Sequence, residues 1–419
     1  MSSNPTARNS GVFYGWIVVA AAFAVTFVGF GGAYTFSAFV EPLQTSFAAT
    51  RGSVSLVFSL AGFLYFSLGI VSGPLADRVG SRALAVIGML LVGSGLTLAA
   101  MAQSLTEVYV AYGLGIGLGV GLSYVPVLGT VQRWFIRRRA FASGIAVSGI
   151  GVGTLVMPPL ASFLIESFGW RGAYLALGVL GASIGGAMAL LISNDPSDRA
   201  LAPDGDPSRM TDSPGPLAGY SIGEALRTRR FIGLYVGCLL CSLGVFVPFV
   251  HLVPYAMQEG VPQSLAVLLV GLIGLGSTAG RFVLGGLADR LGRRASLLAT
   301  FSGMALAMTV WAMSSGFWSL AAFALVFGVC YGGWVALLPA VVMDDFGGRN
   351  VSGIIGVLYS SVAFGTLIGP SAAGYAFDVV HSYTLPIIAS ACASIAAGGI
   401  VAGTSRPTTR TFGRGSPLR

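Results

Sequence analysis

The chain has 419 residues, of which 55% are hydrophobic and 9% charged, with 61 Gly and a mean hydropathy of +0.83. Soluble domains carry about 25% charged residues, so this composition excludes a soluble enzyme, a nucleic-acid-binding domain and a disordered chain. The net charge is +8, and all 23 basic residues are Arg. The apolar runs are also too long for an outer-membrane barrel, whose strands are short and alternate polar with apolar.

The chain is polar up to Ser10 and then apolar for nearly thirty residues, with no small-residue cleavage pattern. That reads as a first transmembrane helix, not a removable signal. About 20 apolar residues cross the hydrocarbon layer. By that measure the sequence predicts twelve spanning helices over 13–40, 52–74, 83–102, 107–131, 140–166, 172–193, 231–257, 264–286, 295–315, 318–343, 350–377 and 383–404. The stretch Asn194–Arg230 is rich in Asp, Pro, Ser and Arg and reads as a flexible linker. The expected domains are therefore a six-helix bundle over 1–193, a cytoplasmic linker over 194–230, a second bundle over 231–404 and a cytoplasmic tail over 405–419. Cys238 and Cys241 have CxxC spacing, but they lie in an apolar helix and read as packed thiols.

Loop Arg residues set the orientation. With the N-terminus inside, 20 of the 23 Arg fall on the inner side and only Arg51 and Arg171 on the outer. That predicts a multi-pass protein of the inner (cytoplasmic) membrane with both termini cytoplasmic. The basic charge is then accounted for by topology, and no nucleic-acid partner is expected. Arg281 is left over, inside a helix.

The two halves repeat. Gly73-Pro-Leu-Ala-Asp77-Arg78-Val-Gly80 recurs as Gly285-Gly-Leu-Ala-Asp289-Arg290-Leu-Gly292, an offset of 212. Gly153-Thr-Leu-Val-Met-Pro158 recurs as Gly365-Thr-Leu-Ile-Gly-Pro370 at the same offset, and Pro42, at the end of the first helix, matches Pro254. Parallel repeats imply a pseudo-twofold axis along the membrane normal and a site at midplane between the halves. The expected fold class is an all-α membrane protein of twelve helices in two pseudo-symmetric six-helix bundles.

These repeats resemble the major facilitator superfamily over the whole chain. The G-x-L-A-D-R-x-G-x-R stretches at Gly73–Arg82 and Gly285–Arg294 look like that superfamily's loop motif. The resemblance implies a conformational latch in which Asp77, Arg78, Asp289 and Arg290 meet nearby charges and a facing helix N-terminus. Within the superfamily, several stretches resemble the monocarboxylate porter family. They are Trp134-Phe135-Ile136-Arg137-Arg138-Arg139 with the Gly144 and Gly149 that follow, Tyr14-Gly15-Trp16, Tyr124-Val-Pro126, and His251-Leu-Val-Pro254-Tyr255. The last is also similar to the oxalate:formate exchanger. Arg281 lies eight residues before Asp289, where the porter family places its substrate Arg.

A charge at bilayer depth costs at least ~2.5–3.5 kcal/mol on insertion scales, so it is seldom idle. Arg stays ionised and presents a planar fork that matches a carboxylate. The competing reading is a structural Arg bonded to carbonyls of the seventh or tenth helix. Gly274, Ser277, Arg281 and Gly285 share one helical face and read as a cavity wall. Tyr34, Tyr124, Tyr331, Tyr359 and Trp334 fall at similar depth and could offer a hydroxyl or an apolar wall. The odd-numbered glycines from Gly113 to Gly121 read as helix contacts. No second basic residue lies in a helix core, and Val362 stands where the exchanger would carry a Lys. One buried cation argues for a substrate with one negative charge.

The animal porters also carry a helix-1 Lys and a helix-8 Asp, where this chain has Ala38 and Ser277, so their proton relay does not transfer. His251 is the proton-coupling candidate, with bonding to a freed carbonyl as the alternative. Glu41, Glu107, Glu166, Glu259 and Asp378 read as solvated helix-end acids. The expected function is a monomeric secondary transporter of a small monocarboxylate, lactate- or pyruvate-like, working by alternating access, with a proton as its expected partner. The alternatives are an anion exchanger of the oxalate:formate type, a drug efflux pump of the same fold, and a membrane sensor that binds an acid without moving it. No catalytic set, cofactor or metal site is expected.

Overall fold

The computed structural model describes residues 13–135, 138–206, 219–347 and 350–404. Among the described residues, eleven segments are long and apolar enough to cross a membrane, and one of them, Phe141–Leu190, is 50 residues long. At 1.5 Å per residue that segment is about 75 Å, two crossings and not one. It breaks at Gly169, whose φ of 70° only glycine adopts without strain. Twelve crossings result.

In chain order they are α1 (Tyr14–Phe47), α2 (Arg51–Val79), α3 (Ser81–Ala100), α4 (Leu105–Trp134), α5 (139–168), α6 (170–190), α7 (Arg229–Gln258), α8 (Gln263–Leu291), α9 (Arg293–Ala312), α10 (Phe317–Phe346), α11 (Val351–Val380) and α12 (Thr384–Gly403). The sequence ranges agree within a few residues except at α1, which runs seven residues further. The sequence reading ends this helix at Pro42. The chain instead breaks at Thr35, and Pro42 sits inside the second piece, Phe36–Phe47. The 212 offset explains the place of the break: α7 breaks in the same way at Phe246–Val247.

The backbone carries the repeat further than the motifs do. Gly80 and Gly292 both cap their helices at φ 91°. Gly169 and His381, again 212 apart, both turn the chain with positive φ. The odd glycines of α4 divide between two neighbours. Gly115 and Gly119 lie against Gly95 and Gly88 of α3, whereas Gly113, Gly117 and Gly121 lie against Leu60, Leu64 and Leu68 of α2. Such small-residue faces let helices approach closely where lipid gives little drive to association.

The two sets of six helices meet along two seams. In one, α2 packs on α11, from Gly52 against Gly374 at one end to Ile70 against Gly356 at the other. In the other, α5 packs on α8, from Leu155 against Gly271 to Gly144 against Phe282. The seams are images of each other at the 212 offset: Gly62 meets Thr366 in the first, and Gly274 meets Thr154 in the second.

Candidate functional site

Arg281 projects from α8 toward α5, and its side chain is buried at 7% exposure. Its Nη1 donates to the Val147 carbonyl at 2.8 Å. The neighbouring carbonyl, Ala146, accepts from Thr26 Oγ1 of α1 at 2.7 Å. The guanidinium is therefore fixed through the backbone of α5, not by the helices the sequence suggested. Arg281 Nε and Nη2 are buried and have no hydrogen-bond partner. These two atoms form one edge of the planar fork, the edge that takes a carboxylate bidentately. Leaving donors buried and unpaired costs ~1–3 kcal/mol each, more for a charged group, so an acceptor placed there is strongly favoured.

A cavity of about 30 Å³ lies between the halves. A water needs about 10–15 Å³ by this measure, so the space holds about two waters and the site is nearly closed. Phe30, Tyr124 and Ile150 line it from one half, and Phe246, Tyr331, Trp334, Tyr359 and Val362 from the other. Four of the sequence candidates, Tyr124, Tyr331, Trp334 and Tyr359, thus line one cavity. Tyr34 joins them one step away: its hydroxyl bonds that of Tyr331 at 3.1 Å, and its ring stacks on Phe249 at 4.5 Å. Tyr34, Tyr124, Tyr331 and Tyr359 all lie close enough to Arg281 to interact with its charge.

Sequence reasoning missed the apolar lining. Phe246 had a usable signal, because it is the 212-residue image of Tyr34. The supposed wall of α8 is also different. Gly274 packs on Gly151 and Leu155 of α5, and Ser277 packs on Gly332 of α10. That face is a packed seam, and Arg281 lies beside the cavity, near Tyr124, Tyr331 and Tyr359, and not among the residues that line it.

His251 does not line the cavity. It is fully buried two residues, about half a helical turn, beyond Phe249. Its Nε2 lies 2.8 Å from the Pro370 carbonyl and its Nδ1 lies 3.1 Å from the Tyr383 hydroxyl. A carbonyl can only accept, so this network assigns the proton to Nε2 and leaves Nδ1 to accept from Tyr383. Tyr383 in turn accepts from Arg51 Nη1 at 2.8 Å. Burial pushes the Tyr383 hydroxyl up to about 12, against the opposing pull of Arg51, so it stays a donor. Asp378 is not a solvated acid. Its two oxygens accept from the backbone N–H groups of Arg51 and Gly52 at 3.1 and 2.9 Å.

At the opposite end, Arg78 is exposed. The side chains of Asp77, Asp289 and Arg290 lie outside the described residues, as do Ile136, Arg137, the tail from 405 and the linker stretch 207–218. Two acids of α10 meet Arg side chains there: Arg293 pairs with Asp344 at 2.7 Å, and Arg230 and Arg294 approach Asp345 at 3.8 and 3.7 Å. Cys238 and Cys241 are buried free thiols. Among the described residues no group of three metal-ligating side chains comes together.

The family model of the major facilitator superfamily matches residues 21–306 and 234–417. Monocarboxylate transporter 11 of Mus musculus is 31% identical over 395 residues, covering 92% of this chain and 86% of that one. Monocarboxylate transporter 3 of Rattus norvegicus is 30% identical over 398 residues, covering 94% and 80%. Two solved structures share the fold. A bacterial homologue of the human lysosomal transporter Spinster, inward-facing and unoccupied, aligns with a TM-score of 0.70 at 16% identity over 94% of this chain and 96% of that one. The xylose transporter XylE from E. coli, in a partially occluded inward-open form, aligns with 0.73 at 15% identity over 97% and 100%. The chain is a multi-pass membrane transporter and not an enzyme, and it belongs to the monocarboxylate transporter family of the major facilitator superfamily.

Proposed function

We propose that this transporter carries a small monocarboxylate, of the size of lactate or pyruvate, by alternating access. The observation that carries this reading is the free Nε–Nη2 edge of buried Arg281. With Nη1 tied to Val147, the guanidinium has one edge left, and a carboxylate fits that edge with two parallel hydrogen bonds. The wall beside it is aromatic and aliphatic and suits a short carbon chain. Arg281 and His251 are the only buried side chains of the Asp, Glu, His and Arg types among the described residues. A second carboxylate would find no cation there, and Val362 keeps that wall apolar. An uncompensated charge in such a place is costly, which disfavours dicarboxylates such as oxalate.

The same reading places the protein in the inner membrane as a monomer of two six-helix halves, with both termini cytoplasmic. The Arg51 end then faces outward. We further propose that a proton accompanies the acid and that His251 takes it. In the resting network Nδ1 accepts from Tyr383; a proton on Nδ1 turns that acceptor into a donor and forces Tyr383 to rearrange.

Proteoliposomes with radiolabelled L-lactate test the site. Uptake should rise with an inward proton gradient. Arg281→Ala should lower it at least about a hundredfold, because both the charge and the fork are lost, and Arg281→Lys should recover only part, since a point charge replaces a planar pair of donors. Uptake at the parent rate in Arg281→Ala would sink the assignment. His251→Gln should retain counterflow while losing stimulation by the gradient; unchanged stimulation would remove His251 from the proton path.

A further inference from the structure

The Arg51 end of the α2–α11 seam holds four charged or polar side chains joined in one chain of contacts. Asp378 of α11 receives the first two N–H groups of α2, those of Arg51 and Gly52. A carboxylate at a helix N-terminus is held both by its hydrogen bonds and by the positive end of the helix dipole. The Arg51 guanidinium lies over the Phe377 ring at 4.1 Å from its centroid and donates to Tyr383. Tyr383 stacks on Phe377 at 4.4 Å and reaches His251 of α7, which ends on the Pro370 carbonyl of α11. Ser55 Oγ lies 3.3 Å from the same His251 Nε2.

The Arg51 and Ser55 contacts all cross from one half to the other. They sit at the mouth of the seam, where Arg51 and Asp378 are only part-buried. On separation both groups can rehydrate, so parting them costs far less than it would at midplane. Two turns deeper the seam continues as a neutral contact, Ser371 Oγ to Ser59 Oγ at 2.9 Å, with both side chains buried. A strong, reversible, charged contact at the mouth over a neutral packed seam is the arrangement a gate requires.

We infer that Asp378, Arg51 and Tyr383 form the gate at this end of the transport path, with His251 as its inner anchor. Asp378 holds the N-terminus of α2, and releasing it frees α2 to swing from α11 and open the site from that side. Only the name "outer" for this gate rests on the orientation proposed above.

The test uses full-length protein in which Cys238, Cys241, Cys330 and Cys392 are replaced by Ala and Ser371→Cys supplies one buried reporter. A membrane-impermeant maleimide is applied to intact cells and, separately, to inside-out vesicles. With the gate intact, the reporter should react slowly from the outside. Asp378→Ala should speed that reaction about tenfold, as expected when two charge-assisted hydrogen bonds are lost from the closed state alone. Tyr383→Phe keeps the stacked ring and removes only the hydroxyl, so it should fold normally and speed labelling about threefold. Glu259→Gln, at the same end but outside this chain of contacts, should leave the rate unchanged. Acceleration seen only in inside-out vesicles would keep the gate and reverse the orientation. Parent labelling rates from both faces in Asp378→Ala and in Tyr383→Phe would overturn the gate.

Discussion

The two seams between the halves are images of each other in sequence, yet they carry different chemistry at different depths. The α2–α11 seam is charged at its mouth, through Arg51 and Asp378, and neutral at depth. The α5–α8 seam differs at both levels. The 212-residue images of Arg51 and Asp378 are Gln263 and Glu166, a neutral residue and an acid. At depth it holds Arg281 against the Val147 carbonyl, where the first seam has Gly69 and Tyr359 as images. In the proposed transport cycle one seam supplies the latch and the other the binding charge. Divergence at a few positions has given each seam its own chemistry.

Among variants that set one seam against the other, the largest effect should come from thickening them at equivalent points. A Cβ on Gly274 would lie 2.5 Å from the Gly151 carbonyl oxygen and 2.6 Å from the Leu155 nitrogen. Both are helix backbone and cannot step aside. At Gly62 the nearest atom is the Thr366 methyl group, on a side chain that can rotate. Overpacking costs ~1–3 kcal/mol when the surroundings cannot yield. Gly274→Ala should therefore cut the lactate uptake rate about tenfold or more, and Gly62→Ala by no more than about threefold. Equal losses would mean that the seams close with equal tightness and would break the contrast.

The next effect joins the halves through the site itself. The Tyr34–Tyr331 hydroxyl pair is a single hydrogen bond from α1 to α10, and a buried pair of this kind contributes ~1 kcal/mol net. Tyr34→Phe and Tyr331→Phe should each change the uptake rate about three- to fivefold, and the double variant should lose no more than the worse single. Additive losses in that double-mutant cycle would show that the two hydroxyls act separately.

Much of this was legible in the chain. Hydropathy found twelve crossings, the Arg count singled out Arg281, and depth along the helices brought Tyr124, Tyr331, Tyr359 and Trp334 to one cavity. What escaped has two causes. Cross-half contacts leave no local signal: Asp378 reads as a helix-end acid until the N-terminus of α2, more than three hundred residues earlier in the chain, is placed beside it. The acids Asp344 and Asp345 that meet the motif's Arg293 and Arg294 lie at the end of α10, outside any repeated motif. The helix breaks escaped for the opposite reason. Proline at 42 is a strong local signal, but Pro42 is accommodated in the second piece of α1, and the chain bends at Thr35. There the Thr35 hydroxyl bonds back to the Gly32 carbonyl at 2.7 Å, a competition with the helix ladder that bends helices. Comparison with α7, which breaks 212 residues later, exposes the bend.

The smallest predicted effect asks whether the asymmetry of the mouths is itself functional. Gln263→Arg places in α8 the charge that α2 carries at Arg51, in the seam whose α5 carries Glu166 where α11 carries Asp378. Partly exposed ion pairs contribute ~0.2–1 kcal/mol, so an ion pair between the new Arg and Glu166 should slow lactate uptake by at most about fivefold. Raised salt should reverse the slowing, because screening weakens exposed pairs. The original latch should respond less to salt, since its carboxylate is held by two backbone N–H groups as well as by charge. If Gln263→Arg leaves the rate unchanged at low salt, the α5–α8 mouth does not part during transport, and opening at this end belongs to the α2–α11 seam alone. If it slows the rate in a salt-sensitive way, both mouths part, and the single native latch is what keeps opening fast.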